Sequence, residues 1–331
     1  MSKILGINIS HDCAFAYFED GILKEFYEES RFNKIKHWGP TAEIDNIYEY
    51  KALKKFKDIE FDVICFSSWG RDHLILEHLI IRHILTQINY KNKPMYFDVL
   101  QHHIHHATGG YYFSNFKEAL VLVCDGGGEK YDFKKIDRND AWSYERGIFP
   151  TFKVMESIFY INNKNIKELY KCFSDNHDNV MKKVNKNYKN QEDVYGLHPI
   201  KDTDIRFTDK LVGGFKYQNY CEAAGFPAHS EGQLMGLAAY KNKKTDLNKK
   251  MLNIAHEAQK ETLKERIQLV EKAMTYSNCK NIILSGGYHL NCANNFKLVK
   301  HFPNLNFFVD PIPYDAGCAV GVVKYYENYF R

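Results

Sequence analysis

The sequence has no apolar run near the ~18 residues that a bilayer-spanning helix needs, so neither a transmembrane segment nor a membrane partner is expected. Its eight cysteines include no C-x-x-C pair, and several sit in apolar, strand-like runs. That speaks against a paired-cysteine metal or redox motif and reads as free thiols in a reducing, cytoplasmic compartment. No signal peptide precedes the first apolar segment, because Met1 to Gly6 enters a strand directly. There is no Walker loop and no G-x-G-x-x-G fingerprint. No internal repeat and no long Pro, Gly or Ser linker divides the chain. Tryptophan is scarce, at 3 against 23 Tyr and 23 Phe, a bias that fits Lys- and Asn-rich coding. The formal charge of +4 neither demands nor excludes a nucleic-acid partner. What remains is a chain of 331 residues, 44% hydrophobic and 15% aromatic, able to bury a large core in one large domain or two ordinary ones.

The apolar pattern predicts strands over Lys3 to Ser10, Cys13 to Phe18 and Ile22 to Glu28, joined by tight turns as an antiparallel meander. Helices are predicted over Thr41 to Phe56, His73 to Ile88 and His102 to Tyr112, with a buried strand at Val63 to Ser67. This order resembles a ribonuclease-H-like half over residues 1–116. A second half, 117–331, begins with a strand at Ala119 to Cys124. It continues with strands drawn from Trp142 to Ser157, Asn281 to Leu284 and Phe307 to Val309, and closes on a helix over Gly317 to Tyr329. The Lys-, Asn- and Asp-crowded stretch of about 162–209 reads as an insertion of short helices and loops over one side of the cleft. Two α/β halves with glycine loops after strands predict a nucleotide cleft between them.

The most informative segment is His102-His103-Ile104-His105-His106. On a helix, His102 and His106 stand at i and i+4 on one face, where two imidazoles reach one metal ion; a polar helix face with capping or core histidines is the other reading. Asp125, at the end of the following strand, is a natural third ligand, and two histidines with a carboxylate suit Fe(II), Mn(II), Co(II) or Zn(II). In Asp125-Gly126-Gly127-Gly128-Glu129 the glycines let backbone approach a phosphate, although Asp-Gly also makes hairpin turns. Ser285-Gly286-Gly287 repeats the strand–glycine–helix logic ahead of a helix over Leu290 to Lys300. Asp315 reads as a ligand or as a helix N-cap. His11 reads as a general acid or base or a local hydrogen-bonding group, and Glu28 to His37 as a charged edge.

These segments together resemble the carbamoyltransferase family that includes the nodulation-factor, tobramycin and cephamycin enzymes. The matching stretches are Ser10 to Ala14, Glu28 to His37, His102 to Ala107, Asp125 to Glu129, Glu231 to Ala238, Gly286 to Cys292 and Asp315 to Gly321, in the family's order along nearly the whole chain. The resemblance implies an α/β, actin-like ATPase fold of two ribonuclease-H-like halves with a nucleotide and metal cleft between them. It implies a divalent metal, Fe2+ foremost, on His102, His106, Asp125 and Asp315. It implies a nucleotide, ATP or carbamoyl adenylate, cradled by Gly126, Gly127, Gly128, Glu129, Glu231, Gly232, Ser285, Gly286, Gly287 and Asn291. His11, taking the acceptor's proton, and Lys36, offsetting phosphate charge, are implied in carbamoyl transfer from carbamoyl adenylate or carbamoyl phosphate. The acceptor hydroxyl belongs to a sugar, a natural product or a hydroxymethylated nucleobase. Relatives of this kind carry a further module that makes carbamoyl adenylate, so a separate carbamoyl-activating protein is an expected partner. The alternatives are a tRNA threonylcarbamoyl transferase-like enzyme and a non-catalytic nucleotide-binding protein.

Overall fold

The computed structural model describes residues 2–40, 47–68, 74–91, 95–96, 101–128, 130–133, 152–174, 194–195, 203–208, 210–227 and 229–330. The chain opens with β1 (Lys3–Asn8), β2 (Ala14–Glu19) and β3 (Ile22–Glu28), paired antiparallel in sequence order. β1 reads as a nearly continuous apolar run because it is buried from Ile4 to Asn8, as a central strand covered on both faces must be. Then follow α1 (Glu29–Asn33), β4 (Glu60–Phe61), β5 (Val63–Ser67), α2 (Leu74–Leu85), β6 (Asn89–Tyr90), β7 (Met95–Tyr96) and α3 (His102–Ser114). The first sheet runs β3-β2-β1-β5-β7, with β5 parallel to β1 and β7 parallel to β5.

The helix expected over Thr41 to Phe56 is not formed in its described part, which holds only a 3-10 turn at Leu53–Phe56. The buried Glu29 carboxylate accepts the N–H groups of Lys51 (3.0 Å) and Ala52 (2.9 Å) and the Tyr48 hydroxyl (2.8 Å). Those two N–H groups are therefore spent on a tertiary contact rather than on a helix of their own.

The second sheet has eight strands among the described residues. Its strands are β8 (Glu118–Cys124), β9 (Lys130–Phe133), β10 (Phe152–Asn162), β11 (Ile166–Ser174), β12 (Val194–Tyr195), β13 (Asp204–Thr208), β14 (Asn281–Ser285) and β15 (Asn306–Val309). Its path β11-β10-β8-β14-β15 repeats the antiparallel-then-parallel order of the first sheet. The helices of this part are α4 (Gly213–Ala223), α5 (Glu231–Ala238), α6 (Lys249–Tyr276), α7 (Cys292–His301) and α8 (Cys318–Tyr325). The polar stretch of about 162–209 corrects the sequence reading: it supplies β11 and β13, both integral to the sheet. Lys and Asn dominate its composition and conceal the strand, whose Leu169 to Ser174 are all buried, Lys171 with its ammonium 3.0 Å from Glu168. Of the stretch Trp142 to Ser157, from which further strands are expected, residues 142–151 lie outside the described residues and residues 152–157 open β10.

Two helices tie the sheets together. α8, late in the chain, packs on β1 and β5 of the first sheet, while α3 packs on β8 and β14 of the second. They also cross each other at close range, and glycine makes that crossing sterically feasible. A Cβ on Gly321 would lie 1.7 Å from the His105 carbonyl oxygen, and one on Gly6 would lie 2.0 Å from that of Ala319. The Thr108 hydroxyl adds a bond to the Gly321 carbonyl at 2.8 Å. Gly321→Ala should therefore force backbone apart and cost about 3 kcal/mol or more, above the usual range for overpacking. Gly236→Ala, on α5 with nothing within 4 Å of the added Cβ, should instead stabilise by up to about 1 kcal/mol through helix propensity. Denaturant midpoints of the two variants check both signs.

Candidate metal centre and active site

The first turns of α3 aim His102 and His106 at one point, their Nε2 atoms 3.1 Å apart and their rings perpendicular. Asp125 follows β8 directly. Its amide donates to the Met155 carbonyl (3.2 Å), its carbonyl accepts from Gly214 (3.2 Å), and its Oδ1 accepts the Gly287 amide (3.0 Å). Held at these points, it turns Oδ2 to within 3.5 Å of His102 Nε2. Asp315 opens the turn leading into α8 and lies 3.6 Å from both imidazole Nε2 atoms. One ligand atom from each of His102, His106, Asp125 and Asp315 lies within 4.8 Å of all the others, and all four residues are buried. Cys318 also lies within reach of the same two histidines, and burial with the Asp315 charge pushes its thiol well above the ordinary range.

The electrostatics are those of a centre built for a cation. Burial works against a charge on His102, yet Asp315 and Asp125 outweigh it and hold the imidazole well above its usual range. Burial likewise disfavours charge on the two carboxylates. The imidazoles reverse that, together with the His11 cation in the case of Asp315, so that both titrate well below the carboxylate range. The Nδ1 atoms of His102 and His106 are buried with no hydrogen-bond partner among the described residues. Two imidazoles and two carboxylates converging on one point fit a divalent ion of the Fe, Mn, Co or Zn type.

Above this floor opens a cavity of about 480 Å³. Of the residues singled out in sequence, His11, Lys36, Asp125, Gly126, Gly127, Glu231, Gly232, Gly287, Asn291 and Asp315 line it. The rest divide by cause. Gly128 is a packing glycine, since a Cβ there would meet the His103 ring at 2.4 Å. Gly286, at φ +91°, passes against the backbone of Cys124. Ser285 is turned into the core, its hydroxyl within hydrogen-bond distance of Asp310 (2.7 Å) and the His106 carbonyl (3.1 Å). Glu129 lies outside the described residues. His103 and His105 point elsewhere, onto the hydroxyls of Ser157 (2.8 Å) and Ser67 (2.7 Å).

His11 Nδ1 sits 3.2 Å from Asp315 and 3.5 Å from Asp12. The Asp315 charge, against the opposing effect of burial, pushes the imidazole up to about 10. Between these two carboxylates the His11 ring is held at the edge of the cavity floor. Lys36 is tied across the cleft by a 2.9 Å bond to the His229 carbonyl.

Sequence reasoning missed the other residues of the wall. His37 and His229 stack at the mouth with ring centroids 4.7 Å apart. Lys153, from β10, lies 5.8 Å from the centroid of the Phe215 ring and is depressed by burial. His37 closes the recognised Glu28 to His37 stretch, which was a usable signal. His229 and Lys153 carry none, because each reaches the cavity only through tertiary packing.

The pH dependence of the metal-depleted protein follows from these shifts. Raised His102 and His11 stabilise the fold fully below the unfolded value of about 6.5 and lose that contribution as pH climbs through their folded values, which for His11 is about 10. Chelator-treated protein should therefore melt progressively lower from pH 7 to 10. A divalent ion should reverse the trend, because it competes with the same protons and binds more tightly as pH rises. Differential scanning calorimetry at a series of pH values, with and without Fe2+ or Mn2+, checks both slopes.

Residues 72–323, well over half of the chain, match the family model described as carbamoyltransferase N-terminus. The chain is 26% identical to the uncharacterized protein sll1178 of Synechocystis, over 97% of this chain and 56% of that protein. It is 25% identical to nodulation protein NolNO of Sinorhizobium fredii, over 96% of this chain and 46% of that one. It thus spans about half the length of the curated relatives it matches. Among solved structures it resembles full-length HypF in its phosphate- and nucleotide-bound form, with TM-score 0.53 and 11% identity over 98% of this chain and 46% of that one. It also resembles a ROK family protein from Streptococcus pneumoniae TIGR4 in complex with sucrose, with TM-score 0.52 and 10% identity over 98% of both chains. These likenesses and the repeated strand order identify the fold as actin-like ATPase. No helix among the described residues is long and apolar enough to cross a membrane. With its motifs drawn around one cavity, the chain belongs to the carbamoyltransferase N-terminus family.

Proposed function

We propose that this chain carries the transfer site of an O-carbamoyltransferase, passing a carbamoyl group from carbamoyl adenylate or carbamoyl phosphate to a hydroxyl. The acceptor is a sugar, a natural product or a hydroxymethylated nucleobase. The observation that carries this reading is the opening of the four-residue His/Asp centre into the cavity lined by Lys36 and the two glycine loops, in a chain of this family. His102, His106, Asp125 and Asp315 would hold the metal, Fe2+ foremost. When bound, it supplies Lewis-acid stabilisation of negative oxygens on the donor.

The chain's own groups divide the remaining work. Lys36, anchored by the His229 carbonyl, offsets charge on the donor phosphate. Gly126, Gly127 and Gly287 allow backbone to approach it. Glu231 and Asn291 offer polar partners to the nucleoside from the facing wall. His11, fixed on Asp315, is placed to donate to the departing phosphate. The acceptor oxygen bonds to the carbamoyl carbon, the bond from that carbon to the phosphate oxygen breaks, and AMP leaves, or inorganic phosphate when carbamoyl phosphate is the donor. We assign donor activation to a separate module or protein and the reaction to the cytoplasm, in keeping with eight free cysteines.

Purified protein with Fe2+ and a panel of alcohols, from D-glucose to 5-hydroxymethyl-dCMP, tests the reading. One tube receives carbamoyl adenylate and another carbamoyl phosphate with ATP. Mass spectrometry should find an acceptor carrying one added carbamoyl group in the first. Lys36→Ala should slow its formation about 10²-fold or more while keeping the metal. Turnover of threonylcarbamoyl adenylate onto tRNA with no carbamoyl transfer, or nucleotide binding with no turnover of either donor, would contradict it.

A further inference from the structure

The mouth of the cavity holds a second imidazole–carboxylate pair, distinct from the one formed by His11 and Asp315. His37 Nδ1 lies 2.9 Å from Asp12 Oδ1 and 3.2 Å from Oδ2, and both residues line the cavity. Asp12 is 6% exposed and is not one of the four candidate metal ligands, so its charge stays committed to the imidazoles beside it. The pair is rigidly built. Asp12 has φ 59° and His37 φ 54°, both in the left-handed region that costs a non-glycine residue of this kind about 1–3 kcal/mol. The Cys13 amide donates to the Trp38 carbonyl (3.0 Å), and a Cβ on Gly39 would lie 2.9 Å from His11 Cα, so the two loops are locked backbone to backbone. Asn8 holds the other side through its amide to the carbonyls of His11 and Asp12, both at 3.3 Å. Strained residues held this firmly beside a cavity are where a fold stores functional geometry.

Resting on the carbamoyl-transfer reading, we propose that His37 is the general base that takes the proton from the acceptor hydroxyl, with Asp12 as its positioning residue. With Nδ1–H donated to Asp12, Nε2 presents its lone pair, the arrangement in which a carboxylate fixes the tautomer of a catalytic histidine. The His37 and His11 ring centroids are 6.4 Å apart, and both rings line the same cavity. The proton balance closes: the hydroxyl proton passes to His37 Nε2, the oxygen–carbon bond forms, the carbon–phosphate oxygen bond breaks, and the phosphate leaves with the electron pair. The groups facing His37 are Asp12 and His11 from the loop after β1, Lys36 beside it, and His229 ahead of α5 with Glu231 behind it. Of these, only Asp12 is a carboxylate within hydrogen-bond distance of the ring.

His37→Gln separates a chemical role from a structural one, because the glutamine amide still donates to Asp12 but cannot accept a proton. The probe is AMP release from carbamoyl adenylate in aqueous methanol by the Fe2+-loaded chain, where water and methanol both bring an O–H proton to be removed. The glutamine variant should retain its iron and lose about 10²–10⁴-fold in rate, together with the rising limb of the pH–rate profile. Asp12→Asn should lose rate with the limb displaced rather than abolished. In His37→Ala, added imidazole should restore turnover with the pH dependence of imidazole itself. A glutamine variant within threefold of wild type with its rising limb intact, or an alanine variant deaf to imidazole, overturns the assignment to His37. A wild-type chain that releases no AMP above the uncatalysed rate overturns the carbamoyl-donor reading beneath it.

Discussion

Two carboxylates and two imidazoles meet, all four buried, at the floor of the cavity, and the rest of the site depends on that meeting. Asp125 and Asp315 come from different ends of the chain, and His102 and His106 from a third segment. Burying the acids alone would be costly, and burying the imidazoles alone would drive them neutral. Brought together, each sign compensates the other, and a divalent ion would satisfy both pairs at once. The arrangement stands only while α3 and α8 stay in register, and that register is set where the Gly321 backbone runs beneath the His105 carbonyl. A residue that touches no ligand thus governs the distance between the histidines and Asp315.

The cavity grows outward from this floor in shells of decreasing burial. Asp315 passes its charge to Ser10 and His11, Asp12 gathers His37, and Lys36 and His229 bridge the cleft at the mouth. Three of the described non-glycine residues at positive φ, Asp12, His37 and His229, belong to this rim. On the far wall an amide network binds Gln259 to Tyr217 and Asn291, so that Asn291, also the N-cap of α7, faces the cavity from a fixed position.

What was legible in the sequence was whatever local chemistry fixes. The i, i+4 spacing of His102 and His106 needs only a helix, and α3 supplies it. Acids at the end of β8 and the start of the turn before α8 are visible as such, and the opening meander follows from its turns. What was hidden was decided at long range. Glu29 diverts the backbone donors of Lys51 and Ala52, so the described part of an apparently helical stretch, residues 47–56, holds only a single 3-10 turn. β11 is disguised by the polarity of its neighbourhood, and its buried Lys171 pairs with Glu168 three residues back on the same strand. Gly126 and Gly128 look alike in sequence, yet one lines the cavity and the other makes room for His103.

The central claim is that one divalent ion sits where α3, β8 and the turn before α8 converge. Native mass spectrometry of protein stripped with chelator and reloaded with Fe2+ under anaerobic conditions tests it most directly. The wild-type chain should gain the mass of a single ion. His106→Ala and Asp315→Asn should each lose that increment, while His103→Ala keeps it, since His103 faces Ser157 instead. Full loading of the His106 and Asp315 variants, or loss of the ion with His103 alone, would contradict the account.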